Sequence, residues 1–163
     1  MPARGRTDRS FTSAGLPTVL EGLDSLREPH AKHDLQVFHV YDPRLTVCDG
    51  RLLVVTAVDT ERGCRLVVWR AAGDPTAGFA GLERLEPLAV TGREDTRNGV
   101  LFPGKVGGRW LMLERPNRPQ GPGAPASGSA VTLSSSVDLK HWQPEGTVFE
   151  GRFRYWDELV GAG

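Results

Sequence analysis

The chain has 163 residues, 39% apolar and 25% charged, the make-up of one ordinary soluble domain able to bury a core. Its 20 basic and 20 acidic side chains cancel without any long basic run, which argues against a nucleic-acid or anionic-membrane partner. No apolar run approaches the length that spans a bilayer. The two cysteines, Cys48 and Cys64, form neither a disulfide framework nor the clustered spacing of a zinc site, so no metal is expected.

In chain order, residues 1–34 are polar and interrupted by Gly and Pro, and they are expected to be a flexible or degraded start. Within them LDSLRE offers one helical turn at most. The opening MPARGRTDRSFTSAG carries positive charge with no apolar stretch behind it, unlike a secretory signal, so a cytoplasmic protein is expected. From residue 35 to 163 the pattern turns to β. LQVFHV is rich in β-formers. RLTVCDGRLLVVTAV is two apolar runs around Asp49-Gly50, a strong hairpin signal. CRLVVWRA and LERLEPLAV follow. GVLFPGKV and RWLMLE flank Gly107-Gly108, a second hairpin, and GSAVTLSSS closes the series. Between them NRPQGPGAPASG reads as a surface loop. Long helical periodicity is absent.

An internal repeat organises these strands. DPRLTVCDGRLLVV starts at Asp42 and DTRNGVLFPGKVGGRWLML starts at Asp95, an offset of 53 residues. Both run Asp-x-Arg, apolar strand, Gly-containing turn, Arg, apolar strand. Each interval holds roughly four short strands, the signature of a β-propeller blade. A third start is expected near YWDELVGAG. Propellers close with about four to eight blades. The two to three units read here therefore suggest a piece of a longer protein, or a chain completed by homo-oligomerisation, and the piece is the favoured expectation.

Asp-x-Arg at the start of two successive inner strands would gather Asp42, Arg44, Asp95 and Arg97 around one axial pocket. The fork of Arg97 suits a phosphate or carboxylate, and Asn98 both donates and accepts, as sugar hydroxyls require. Pairing across Gly107-Gly108 would return Arg115 to the same end of the ribbon as Arg97, where two guanidiniums repel unless an anion lies between them. Surface salt bridging, for instance Arg97 with Asp95, is the bland reading. Asp42, between Tyr41 and Pro43, reads equally as a turn residue or as a general acid beside an aromatic wall. Asp157 and Glu158 stand beside Tyr155 and Trp156, which suits sugar binding, although blade packing explains the aromatics as well. His30, His33 and His39 read as scattered surface histidines, and Ser135 and Ser136 lack a nucleophile elbow.

Four motifs in order, YDPRLT, DTRNGVLFPGKVGGRWLMLERPN, SSSVDLKHW and YWDELVGAG, resemble glycoside hydrolase family 130 over residues 35–163. The resemblance implies an all-β, five-bladed propeller. It implies inverting phosphorolysis of β-mannosides, a glycosyltransferase-type reaction on an oligosaccharide, with inorganic phosphate as co-substrate and no other cofactor. A mannoside hydrolase of the same family and a truncated non-catalytic product are the alternatives. By resemblance Asp42 is the catalytic acid, its proton reaching the leaving oxygen through a sugar hydroxyl. Unlike the usual inverting pair of carboxylates, phosphate needs no second carboxylate to activate it. Arg97 and Arg115 match the phosphate-binding arginines, and Asn98 lies beside the same site. Tyr41 and Arg44 flank the acid and would shape the sugar site, with Asp95 and Asp157 as further substrate-binding candidates. The chain departs from the pattern at Gly104, where the family often has Glu. A Lys and a His that complete the family's phosphate site lie in later blades.

Overall fold

Nine strands among the described residues account for the architecture. The computed structural model describes residues 18–73, 81–91, 95–119, 122–123 and 128–161. The strands are β1 (Val19–Leu20), β2 (Val37–Cys48), β3 (Arg51–Thr60), β4 (Gly63–Ala71), β5 (Arg84–Thr91), β6 (Thr96–Leu101), β7 (Trp110–Pro116), β8 (Ala130–Ser136) and β9 (Trp142–Glu150), and a 3-10 turn lies at Leu23–Ser25. They form two antiparallel meanders, β2-β3-β4-β5 and β6-β7-β8-β9, and β1 adds to the outer edge of the first in parallel with β5. These are the two four-stranded blades that the repeat requires. The third start expected near residue 155 contributes no strand among the described residues.

The hairpins follow from their turns. Asp49 and Gly50 both have positive φ, 48° and 70°, and so do Gly107 and Gly108, 58° and 81°. Two consecutive positive φ values define the tight turn whose twist matches that of its flanking strands. β3 and β4 are apolar almost throughout because both faces of the first blade are covered. One face, with Val54, Val58, Val67 and the fully buried Trp69, lies under Leu26 and Leu35. The other, with Leu53, Val55, Leu66 and Val68, packs on Leu101, Trp110 and Met112 of the second blade. β7 accordingly alternates, with Trp110 and Met112 buried while Leu111 and Leu113 are half-exposed.

The start of the chain departs from expectation where it is described. Residues 1–17 lie outside the described residues, but 18–34 are not loose. Leu20, Leu23 and Leu26 pack on the far face of the first blade. Glu28 reaches the Arg65 side chain, which is only 6% exposed, and also pairs with Arg62. Spaced leucines and the ion pairs of Glu28 together fasten this polar segment down.

The far face of the second blade is more open. Val148 and Phe149 on β9 are exposed, as are Phe153, Tyr155 and Trp156 beyond it. Pro144 interrupts the donors of β9, and the β8–β9 pairing shifts register at two places.

Candidate active site

Both inner strands break in the same way. In β2, Tyr41 faces Ala57 and Arg44 faces Val55, so one extra residue is inserted between them. In β6, Arg97 faces Arg115 and Val100 faces Leu113, again with one extra residue. Each is a β-bulge, which bends the strand and re-aims a side chain. Each carries a left-handed residue, Asp42 with φ 51° and Asn98 with φ 56°. Asp and Asn tolerate that conformation better than other side chains.

The bulges correct the register of the repeat. Asp42 corresponds in structure to Asn98, not to Asp95, and Pro43 corresponds to Gly99. Glycine is required at position 99, because a Cβ there would lie 2.7 Å from Val55 Cγ1 and 2.8 Å from Leu66 Cδ1. The inner strand of the second blade is thus pressed directly onto the first.

That contact brings six of the eight candidate residues together. Arg97 and Arg115 are direct cross-strand partners. Burial pushes the Arg115 guanidinium down from its ordinary pKa, and the Arg97 charge adds to the effect. Asp42 and Tyr41 act in the opposite direction, and Arg44 again lowers it. The Arg115 guanidinium on β7 therefore feels side chains from two other strands, β6 of its own blade and β2 of the first. The Nε atoms of both Arg97 and Arg115 are buried without a hydrogen-bond partner. Asp42 forms a loose ion pair with Arg44 at 3.4 Å, both half-exposed. Asn98 sits on the β6 bulge, next in sequence to Arg97.

Tyr41 is fixed from behind. Its hydroxyl donates to Asp59 Oδ1 at 3.0 Å and lies 3.6 Å from Cys64 Sγ. Burial, then these two neighbours, push the Tyr41 phenol well above its usual range, so it stays protonated. Asp59 is thus a supporting residue, absent from the candidates drawn from the sequence. The one signal for it was a carboxylate at the end of the apolar run LLVVTAVD.

The remaining two candidates stand differently. The Asp95 carboxylate accepts the Cys64 backbone N–H at 3.2 Å and the Asn117 side-chain amide at 2.6 Å. The Asp157 carboxylate is held by Arg152 Nε at 2.9 and 3.2 Å. Asp157 belongs to the segment after β9, where Val160 N–H bonds the Gly128 carbonyl. Gly128 in turn packs against the Arg115 side chain.

No family model matches the sequence. A β-1,4-mannooligosaccharide phosphorylase of Ruminococcus albus is 30% identical over 127 residues, covering 76% of this chain and 33% of that protein. Among solved structures, the β-1,2-mannobiose phosphorylase of Listeria innocua, in complex with β-1,2-mannobiose, superposes with a TM-score of 0.63. It is 20% identical and is matched over 78% of this chain and 33% of that one. A further structure, from work on mannoside phosphorylases and hydrolases of glycoside hydrolase family 130, reaches a TM-score of only 0.44 at 15% identity, too low to bear on the fold. The chain thus spans about a third of the length of the first two relatives. Its fold is that of blades from the five-bladed propeller of this family, and the relatives support the resemblance carried by the four motifs.

Proposed function

We propose that this chain forms two blades of an inverting β-mannoside phosphorylase, the first bringing the acid and the second the anion site. The observation that carries the reading is the facing pair Arg97 and Arg115, each with a buried Nε that lacks a hydrogen-bond partner. Buried donors are almost always satisfied, and two adjacent half-buried cations repel. A tetrahedral oxyanion between them relieves both costs, and charge-assisted bonds from guanidinium to phosphate are among the stronger ones. Asn98 adds an amide at the same bulge.

The chemistry follows from the placement. A phosphate oxygen held by Arg97 and Arg115 attacks the anomeric carbon of a β-mannoside. The glycosidic C–O bond breaks on the opposite face, and the configuration inverts. Asp42, protonated, supplies the proton that the leaving oxygen needs, relayed through a sugar hydroxyl. Tyr41, held by Asp59, walls the sugar side, and Arg44 orients the Asp42 carboxyl between turnovers.

Titration of inorganic phosphate into the chain tests the anion site. Arg115→Ala removes a charge-assisted contact worth roughly 1.5–3 kcal/mol, so phosphate affinity should fall by about one to two powers of ten. Asp42→Asn should leave phosphate binding nearly intact. In the longer protein, Asp42→Asn should lower mannoside turnover on the order of 100- to 10,000-fold. Mannoside consumption that does not depend on phosphate would replace the phosphorylase with a hydrolase. Absence of consumption with or without phosphate would leave a non-catalytic carbohydrate binder.

A further inference from the structure

Asp95, a substrate-binding candidate from the sequence, has its carboxylate bonded within the protein. It stands directly before β6, two residues ahead of Arg97. Asn117 stands directly after β7, two residues beyond Arg115. The Asn117 N–H bonds the Asp95 carbonyl at 2.8 Å, and its side-chain amide bonds Asp95 Oδ1 at 2.6 Å. The same oxygen accepts the backbone N–H of Cys64, at the tip of the β3–β4 hairpin in the other blade, at 3.2 Å. Cys64 Sγ touches the Tyr41 hydroxyl, and Asp59 takes that hydroxyl's hydrogen bond. A continuous polar chain therefore runs from the base of the Arg97–Arg115 ribbon to the bulge that carries Asp42. The approach is close enough to exclude a side chain at Gly63, whose φ is +92°, since a Cβ there would lie 2.9 Å from Asp95 Oδ2.

We propose that Asp95 is a positioning residue, a polar staple between the blades that sets the spacing of the arginine pair against the Tyr41–Asp42 bulge. The proposal rests on the reading of Arg97 and Arg115 as an anion site, and it gives a sign that a nearby charge alone would not. Asp95 is negative. If it acted only through its charge, its removal would tighten phosphate binding. As a staple, its removal weakens binding even though a negative charge is lost.

The test follows the Nε–Hε NMR signals of Arg97 and Arg115 while inorganic phosphate is added to the chain. Asp95→Ala should weaken phosphate affinity roughly 5- to 10-fold, the equivalent of one ordinary hydrogen bond. Asp95→Asn, which keeps an oxygen for the Cys64 N–H, should recover most of that loss. Gly63→Ala crowds Asp95 without altering any charge and should weaken binding in the same direction, with unchanged dispersion of the remaining amide signals required of each variant as the sign that it is folded. Binding by Asp95→Ala as tight as that of the unaltered chain, or tighter, overturns the staple while Arg115→Ala still reports on the anion site. If phosphate moves neither arginine signal in the unaltered chain, the anion reading fails. The staple is then judged on phosphate-free spectra. Unmoved Arg97 and Arg115 signals and unchanged exchange of the Cys64 amide in Asp95→Ala overturn it, and displaced signals with faster exchange uphold it.

Discussion

The two blades share one backbone device and place different side chains on it. Each inner strand carries a bulge with a left-handed Asp or Asn. In the first blade the bulge presents a carboxylate beside Arg44. In the second it presents an amide next to two facing arginines. The bulge thus fixes where a side chain goes, and the residue placed there decides its charge. The blades also differ in their covers. The far face of the first lies under the leucines of residues 18–36, whereas that of the second leaves Phe149 exposed and Trp156 at 89% exposure.

The largest test of this asymmetry is a pair of truncations. Trp69 is fully buried and its indole N–H donates to Thr56 Oγ1 at 2.8 Å, so Trp69→Ala should cost about 3–5 kcal/mol. Phe149→Ala, on the open face, should cost well under that, about 1 kcal/mol or less. Equal losses by denaturant unfolding would break the comparison.

The cover of the first blade should be sensitive to acid. Burial alone would raise the Glu28 carboxyl, but the hydrogen bond and charge of Arg65, then those of Arg62, overcome it and hold the group below the usual carboxylate range. A depressed carboxylate contributes stability that is present above its unfolded pKa and lost as pH falls through the folded one. Melting temperature should therefore fall on acidification below the ordinary glutamate range, and Glu28→Gln should flatten that part of the profile. At neutral pH the same substitution should cost roughly 1.5–3 kcal/mol. An acid limb identical in the variant would show that Glu28 does not fasten the cover.

The bulges can be separated next. Gly99→Ala drives a methyl into Val55 and Leu66 and should cost about 1–3 kcal/mol by overpacking. Pro43→Ala, at the equivalent but exposed position, should stay within about 0.5 kcal/mol. Chemical unfolding of the two variants side by side decides it.

The smallest effect concerns the thiols. Burial, then the Asp49 charge, push the Cys48 thiol up to about 11, and burial chiefly raises Cys64 as well. Both are neutral at pH 7 and hidden, so alkylation of the folded chain should be negligible and should appear only in denaturant. Rapid labelling of either one would contradict its burial.

Much of the fold was legible because its signals are local. Asp49-Gly50 and Gly107-Gly108 announce their turns, and the apolar runs between them announce the strands. That Arg97 and Arg115 end up side by side followed from the second hairpin alone. The register of the repeat did not follow. A bulge adds one unpaired residue that no alternation of apolar and polar positions reveals, and the shared Asp-x-Arg drew the alignment to Asp95. Residues 18–34 misled for a related reason. Their composition is that of a loose segment, but their order comes from a few leucines and from Glu28 meeting Arg65, a partner distant in sequence. Asp95 and Asp59 were obscure in the same way, since Cys64, Asn117 and Tyr41 reach them only once both blades are folded.

The outer strands also govern how this molecule meets others. An unprotected strand edge offers a row of free amides and carbonyls, a template on which foreign strands add and aggregates grow. In the first blade β1 occupies that edge over Val19–Leu20. In the second, Pro144 lacks an amide hydrogen, two shifts of register bend β9, and Glu145 and Glu150 add negative charge along it. Lateral recruitment of another strand is therefore discouraged at both rims, which leaves the open apolar face of the second blade, with Phe149 and Trp156, as the surface for a stacking neighbour.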